Sequence, residues 1–141
     1  RLYDLGLPHS PEDRTGMLYW RKHRCARIVF SLNFHLGKWT GPQCVEYLID
    51  RVGHERAAAE GEVRRSVSGG YGPLYQAAYM LGGLQLRALH DELCQKGSDW
   101  TEQRFHDAIL RENSMPIAAL RAALRNEDPP RDLAGWRFAD R

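Results

Sequence analysis

The sequence predicts an all-α protein, a helical bundle of about five to six helices. Apolar residues recur at helical spacing in nearly every segment, no run keeps up the alternation of a half-buried strand, and helix start and stop signals divide the chain into regular lengths. A first helix is expected from Pro11-Glu12-Asp13, where acids and proline occupy the first turn, through Met17, Leu18, Cys25, Ile28, Val29 and Leu32 to the neighbourhood of Gly37. Arg14, Arg21, Lys22, Arg24 and Arg27 fall on its opposite face. Thr40-Gly41-Pro42-Gln43 has the form of a capping box, in which the threonine hydroxyl accepts a backbone N–H and the glutamine returns the bond. The helix it opens should stop at Gly53, and a third, rich in alanine and charge, should run from about His54 to Ser68 with Val63 and Val67 on one face.

Gly69-Gly70-Tyr71-Gly72 interrupts the periodicity, because glycine gives up much backbone freedom in a helix. Pro73 is then expected to start the longest helix, a central element carrying Leu74, Ala77, Leu81, Leu84, Leu89 and Leu93 towards Gly97. Asp99-Trp100-Thr101-Glu102 reads as another helix start leading to Phe105, Ile109 and Leu110, and Ser114-Met115-Pro116 opens a last helix through Ile117, Leu120 and Leu124. The helical portion therefore spans residues 1–125, and residues 126–141 form a tail in which Pro129-Pro130 blocks helix and Trp136 and Phe138 are candidate docking anchors. There is no internal repeat.

Length and composition exclude several classes. At 141 residues, 43% hydrophobic and 27% charged, the chain lies in the range of one ordinary soluble domain. No apolar stretch approaches the roughly 20 residues that span a bilayer, so no membrane span is expected. Twenty basic against eighteen acidic residues leave a net charge of +2, too balanced to make nucleic acid the expected partner. Cys25, Cys44 and Cys94 are odd in number and far apart, so neither a disulfide framework nor a metal knuckle is indicated. They are expected to be mostly buried, unreactive thiols, and they leave the compartment open, export included.

Few residues carry a chemical signal. Tyr71, Tyr75 and Tyr79 are spaced by four, so the last two project from one helix face and the first lies just ahead of it. Such a row of phenols can donate hydrogen bonds to the oxyanion of a tetrahedral intermediate without bringing a full charge, and it can equally be plain packing with hydroxyls at the surface. His35, at a helix C-terminus beside a glycine turn, is a candidate donor to substrate or a cap for the last carbonyls. Arg64 and Arg65, just before the glycine-rich turn, have the fork that binds a carboxylate, and can also sit in solvent. No metal site is expected: His54-Glu55-Arg56-Ala57-Ala58 begins like H-E-x-x-H but has Ala58 where the second ligand must stand. His90-Asp91-Glu92 and His106-Asp107 diverge around their helices, and His9 and His23 have no partner spacing.

Phe30-Ser31-Leu32-Asn33-Phe34-His35-Leu36-Gly37-Lys38-Trp39-Thr40, Gly70-Tyr71-Gly72-Pro73-Leu74-Tyr75-Gln76-Ala77-Ala78-Tyr79-Met80-Leu81-Gly82 and Phe105-His106-Asp107-Ala108-Ile109-Leu110 together resemble one family. It is the bacterial domain-of-unknown-function 885 family, whose members resemble helical, gluzincin-type zinc metallopeptidases. The order and spacing of the blocks match its C-terminal part over roughly residues 1–125, the tyrosine-rich block being the most specific.

The resemblance implies that zinc is held by an H-E-x-x-H helix and a glutamate upstream of Arg1, so that the chain is expected to be a fragment or processed product without metal ligands. It implies a peptide substrate, with Tyr75 and Tyr79 in transition-state contacts and His35, Arg65 and Tyr71 in substrate contacts. Two departures stand out: Asn33-Phe34 replaces the family's Gly-Leu before the histidine, and Pro73-Leu74-Tyr75 replaces Pro-Gly-Gln, so that both tyrosines remain candidates for one role. The expected partners are the missing N-terminal part of the same protein and, through apolar surface that part would cover, a second copy of the chain. The competing class is a non-catalytic helical interaction module whose tyrosines are structural.

Overall fold

A computed structural model describes residues 2–68, 70–129 and 138. Among them there are six α-helices and no strand: α1 Pro11–His35, α2 Gly41–Val52, α3 Arg56–Val67, α4 Tyr75–Leu93, α5 Glu102–Arg111 and α6 Ile117–Arg125. The all-α class read from periodicity is the observed one. Two compact units divide the chain, Arg1–Leu81 and Gly82–Arg141, with the division inside α4 between Leu81 and Gly82.

The caps explain why the helices begin where they do. Ser10 Oγ accepts the N–H of Asp13 at 3.1 Å while the Asp13 carboxylate accepts the Ser10 N–H at 3.3 Å, a reciprocal box behind Pro11. Thr40 and Gln43 form the same box ahead of α2, as their spacing predicts. Before α3 the cap is Glu55, whose carboxylate accepts the N–H groups of Ala57 and Ala58 at 3.3 Å each, so α3 starts at Arg56 and His54 stays in the turn. That turn is closed by Gly53 at φ +85°, with its N–H bonded to the Ile49 carbonyl at 3.0 Å. Gly53→Ala places a Cβ in the left-handed region although nothing crowds the position, and is expected to cost about 1–2 kcal/mol. Urea denaturation checks this; an unchanged midpoint would mean that the turn relaxes away from positive φ.

In the first unit α1 packs on α2 and α2 on α3, with a lighter contact of α1 with α3. Phe30, Cys44, Leu48 and Ala59 are fully buried at the centre, with Ala26, Val45, Val52 and Val63 around them. The buried face of α1 differs from the one its apolar residues suggest. His23, Ala26, Phe30 and Ser31 point inward, whereas Leu18, Cys25, Val29 and Leu32 are exposed. Small Ala26 lets the neighbouring backbone come close and Phe30 fills the space beside it, so burial is decided by fit to α2 and α3 rather than by the broadest apolar stripe. The expectation of buried thiols fails at Cys25 for the same reason; Cys44 is buried and Cys94 half-buried.

α1, with 25 residues, is the longest helix, and the helix expected from Pro73 to Gly97 is the 19-residue α4. Leu74 has φ +65°, outside any helix, which delays the start to Tyr75. In the second unit Leu89, Leu93, Phe105 and Leu120 form a separate core from α4, α5 and α6. The buried Glu92 carboxylate ties α4 to α6 by accepting two bonds from Arg121 Nε at 3.0 Å and one from Arg125 at 2.9 Å. Phe138 is half-buried, while Trp136 and Pro130 lie outside the described residues, as does Gly69 of the glycine-rich break.

Candidate functional site

The tyrosine row is real and self-contacting. Tyr71 and Tyr75 stack with ring centroids 4.5 Å apart and planes 5° from parallel, and Tyr79 meets Tyr75 edge-on at 5.6 Å. The Tyr79 hydroxyl donates to the Tyr75 hydroxyl at 3.1 Å. All three rings are exposed, so the row is not core. The bond to Tyr79 first, then the charge a Tyr79 phenolate would carry, raises the Tyr75 pKa above the ordinary phenol value, so Tyr75 keeps its proton. Two hydroxyls joined by one bond have one proton committed and one free, which makes the pair a single outward hydrogen-bond donor. The left-handed Leu74 sits immediately before Tyr75 and sets the direction in which α4 leaves the turn.

His35 is the last residue of α1, exposed, with its ring edge-on to Phe34 at 5.3 Å. Arg65 lies in the last turn of α3, where its guanidinium bonds Glu62 at 2.7 Å. An incoming carboxylate would have to share or replace that partner. No described hydrogen bond or ion pair joins His35 or Arg65 to the tyrosines.

A second constellation lies on the other side of Glu62. Tyr19 Oη is 3.2 Å from His54 Nδ1, and His54 Nε2 is 2.7 Å from His23 Nδ1. His23 Nε2 is 3.9 Å from Glu62 Oε1, with no hydrogen-bond partner of its own. Glu62 in turn is held by Arg27 as well as Arg65. Burial opposes charge on His23, Arg27 opposes it further, and the attraction of Glu62 does not compensate, so its pKa falls to about 4. Burial would raise the Glu62 carboxyl, but the Arg27 hydrogen bond and charge, with Arg65 and His23, bring it below the usual carboxylate range.

Spacing along the chain hid this group, because 31 residues separate the two histidines. The available signal was no more than a histidine in the basic Arg21-Lys22-His23-Arg24 run of α1 and a second beside the Gly53 turn. Among the described residues no set of three or more His, Cys, Asp and Glu is arranged to hold a metal. No described helix is long and apolar enough to cross a membrane.

Compared with known families, residues 1–124 match the model described as bacterial protein of unknown function (DUF885), and the chain belongs to that family. No curated protein and no solved structure matches.

Proposed function

We propose that this chain forms part of a zinc-dependent peptide hydrolase, supplying contacts to the substrate and to the transition state while the metal ligands and general base come from the remainder of a longer protein. The exposed Tyr75–Tyr79 pair carries the reading: it offers one free O–H, in a protonated state, on a surface where packing does not require it. When a peptide carbonyl becomes tetrahedral its oxygen gains negative charge, and a neutral donor aimed at that oxygen stabilises the transition state more than the substrate. Tyr71 extends the row as a flat contact, Arg65 offers its guanidinium to a carboxylate in exchange with Glu62, and His35 offers a ring N–H to the substrate backbone.

In this reading the zinc implied by the family resemblance would be held by the remainder of the longer protein, and this chain's residues bind, orient and donate hydrogen bonds. The exposed apolar residues of α1, Leu18, Val29 and Leu32, with Leu36 at its C-cap, support a surface covered by another part of the protein or by a second copy. The same stripe favours the alternative, a helical interaction module without catalysis. Assaying the full-length gene product on a mixed peptide library, with and without a chelator, separates the two. Chelator-sensitive cleavage is expected; a metal-replete, folded protein that cleaves nothing would leave the interaction module.

A further inference from the structure

We propose that His23 and His54 form an acid-sensitive latch that fastens the α2–α3 turn and α3 to α1 and releases them when the histidine pair takes up its second proton. This is independent of the peptidase reading and rests on the connectivity of the ring nitrogens. Tyr19 Oη can donate to His54 Nδ1, His54 Nε2–H to His23 Nδ1, and His23 Nε2–H is then directed at the Glu62 carboxylate. Each neutral imidazole has one donor and one acceptor to offer, and in that direction both short contacts are hydrogen bonds while His23 Nε2–H faces the carboxylate from 3.9 Å.

A first proton is accommodated without movement. With that proton on His54 Nδ1 the Tyr19 hydroxyl would turn to accept rather than donate, leaving the bond between the histidines intact. A second proton has only His23 Nδ1 to occupy. Two N–H groups then face each other across 2.7 Å, both rings are cationic, and the contact must open.

The surroundings decide the sign. From α1, Arg24 and Arg27 face His23 and oppose its charge; from the turn, His54 does the same; from α3, Glu62 attracts it but is already engaged by Arg27 and Arg65. His23 is 2% exposed, so water cannot stabilise the cation unless the helices part. The folded pKa of about 4 lies below the ordinary imidazole value of 6.5, so the closed form binds fewer protons than the open one. The latch is therefore fully effective above about pH 6.5 and is lost as the pH falls from there through about 4. Because the turn carries His54 and α3 carries Glu62, opening acts first on those elements rather than on the separate core of the second unit.

The test follows the ring nitrogens of both histidines by 15N NMR between pH 7.5 and 3.5, together with amide exchange expressed as protection factors. Protection in α3 should fall about tenfold or more as His23 titrates, while amides around Leu89 and Leu120 keep theirs. His23→Gln retains an acceptor for His54 and cannot charge, so α3 protection in that variant should be flat with pH. If His23 takes its proton without loss of α3 protection, if both units lose protection together, or if His23→Gln keeps the acid response, the latch does not exist. Should His23→Gln not fold, the α3 response to His23 protonation in the unsubstituted protein decides alone.

Discussion

Replacing Tyr79 together with Tyr75 by phenylalanine in the full-length protein is expected to lower the turnover number for peptide hydrolysis about 100- to 1000-fold while changing substrate binding little. Both rings remain, so the edge contact between them survives and only the hydroxyls are lost. An oxyanion donor acts mainly after the carbonyl has become tetrahedral, which is why the loss falls on turnover rather than on KM. The two single variants are the necessary companions. The two hydroxyls share one hydrogen bond, so either can be the outward donor when the other is absent. A tenfold or smaller loss in each single variant with a collapse in the double variant identifies the pair as one donor with two carriers. Parental rates in all three folded variants would make the row structural and end its assignment to catalysis.

Phe30→Ala should destabilise the first unit by about 3–5 kcal/mol, a large share of the roughly 5–15 kcal/mol that holds a typical domain together. Phe30 is 0% exposed at the centre of the α1–α2–α3 core, with Cys44 Sγ 3.8 Å from its carbonyl oxygen. Truncation removes the transfer free energy of the ring and leaves a cavity that three helices cannot close without losing Leu48 and Val45 contacts elsewhere. Phe30→Leu keeps much of the volume and should cost about 1.5 kcal/mol or less. Urea denaturation of both variants followed by tryptophan fluorescence gives the comparison. An Ala variant within about 1 kcal/mol of the parent would mean that the core re-forms around a different face of α1.

That last outcome matters because the face of α1 is where sequence and structure part. Helix class, the box formed by Thr40 and Gln43, the stop at Gly53 and the spacing that puts Tyr75 and Tyr79 on one side of α4 all follow from neighbours within four residues. Such features depend on backbone hydrogen bonds and φ preferences that each short stretch satisfies alone. The resemblance to the family rests on local blocks of the same kind, and the match covers residues 1–124. The row's exposure and the single hydrogen bond that joins its hydroxyls were not legible in spacing, which serves core packing and surface presentation alike.

The burial of His23 in place of Leu18, the exposure of Cys25 and the meeting of Tyr19, His54, His23 and Glu62 depend instead on how three helices approach one another. α1 has apolar side chains on more than one side, and nothing within the helix ranks Ala26 and Phe30 above Val29 and Leu32. Close approach of α2 and α3 ranks them, because dispersion and burial reward the face that fits, and that choice carries His23 inward beside a histidine 31 residues away.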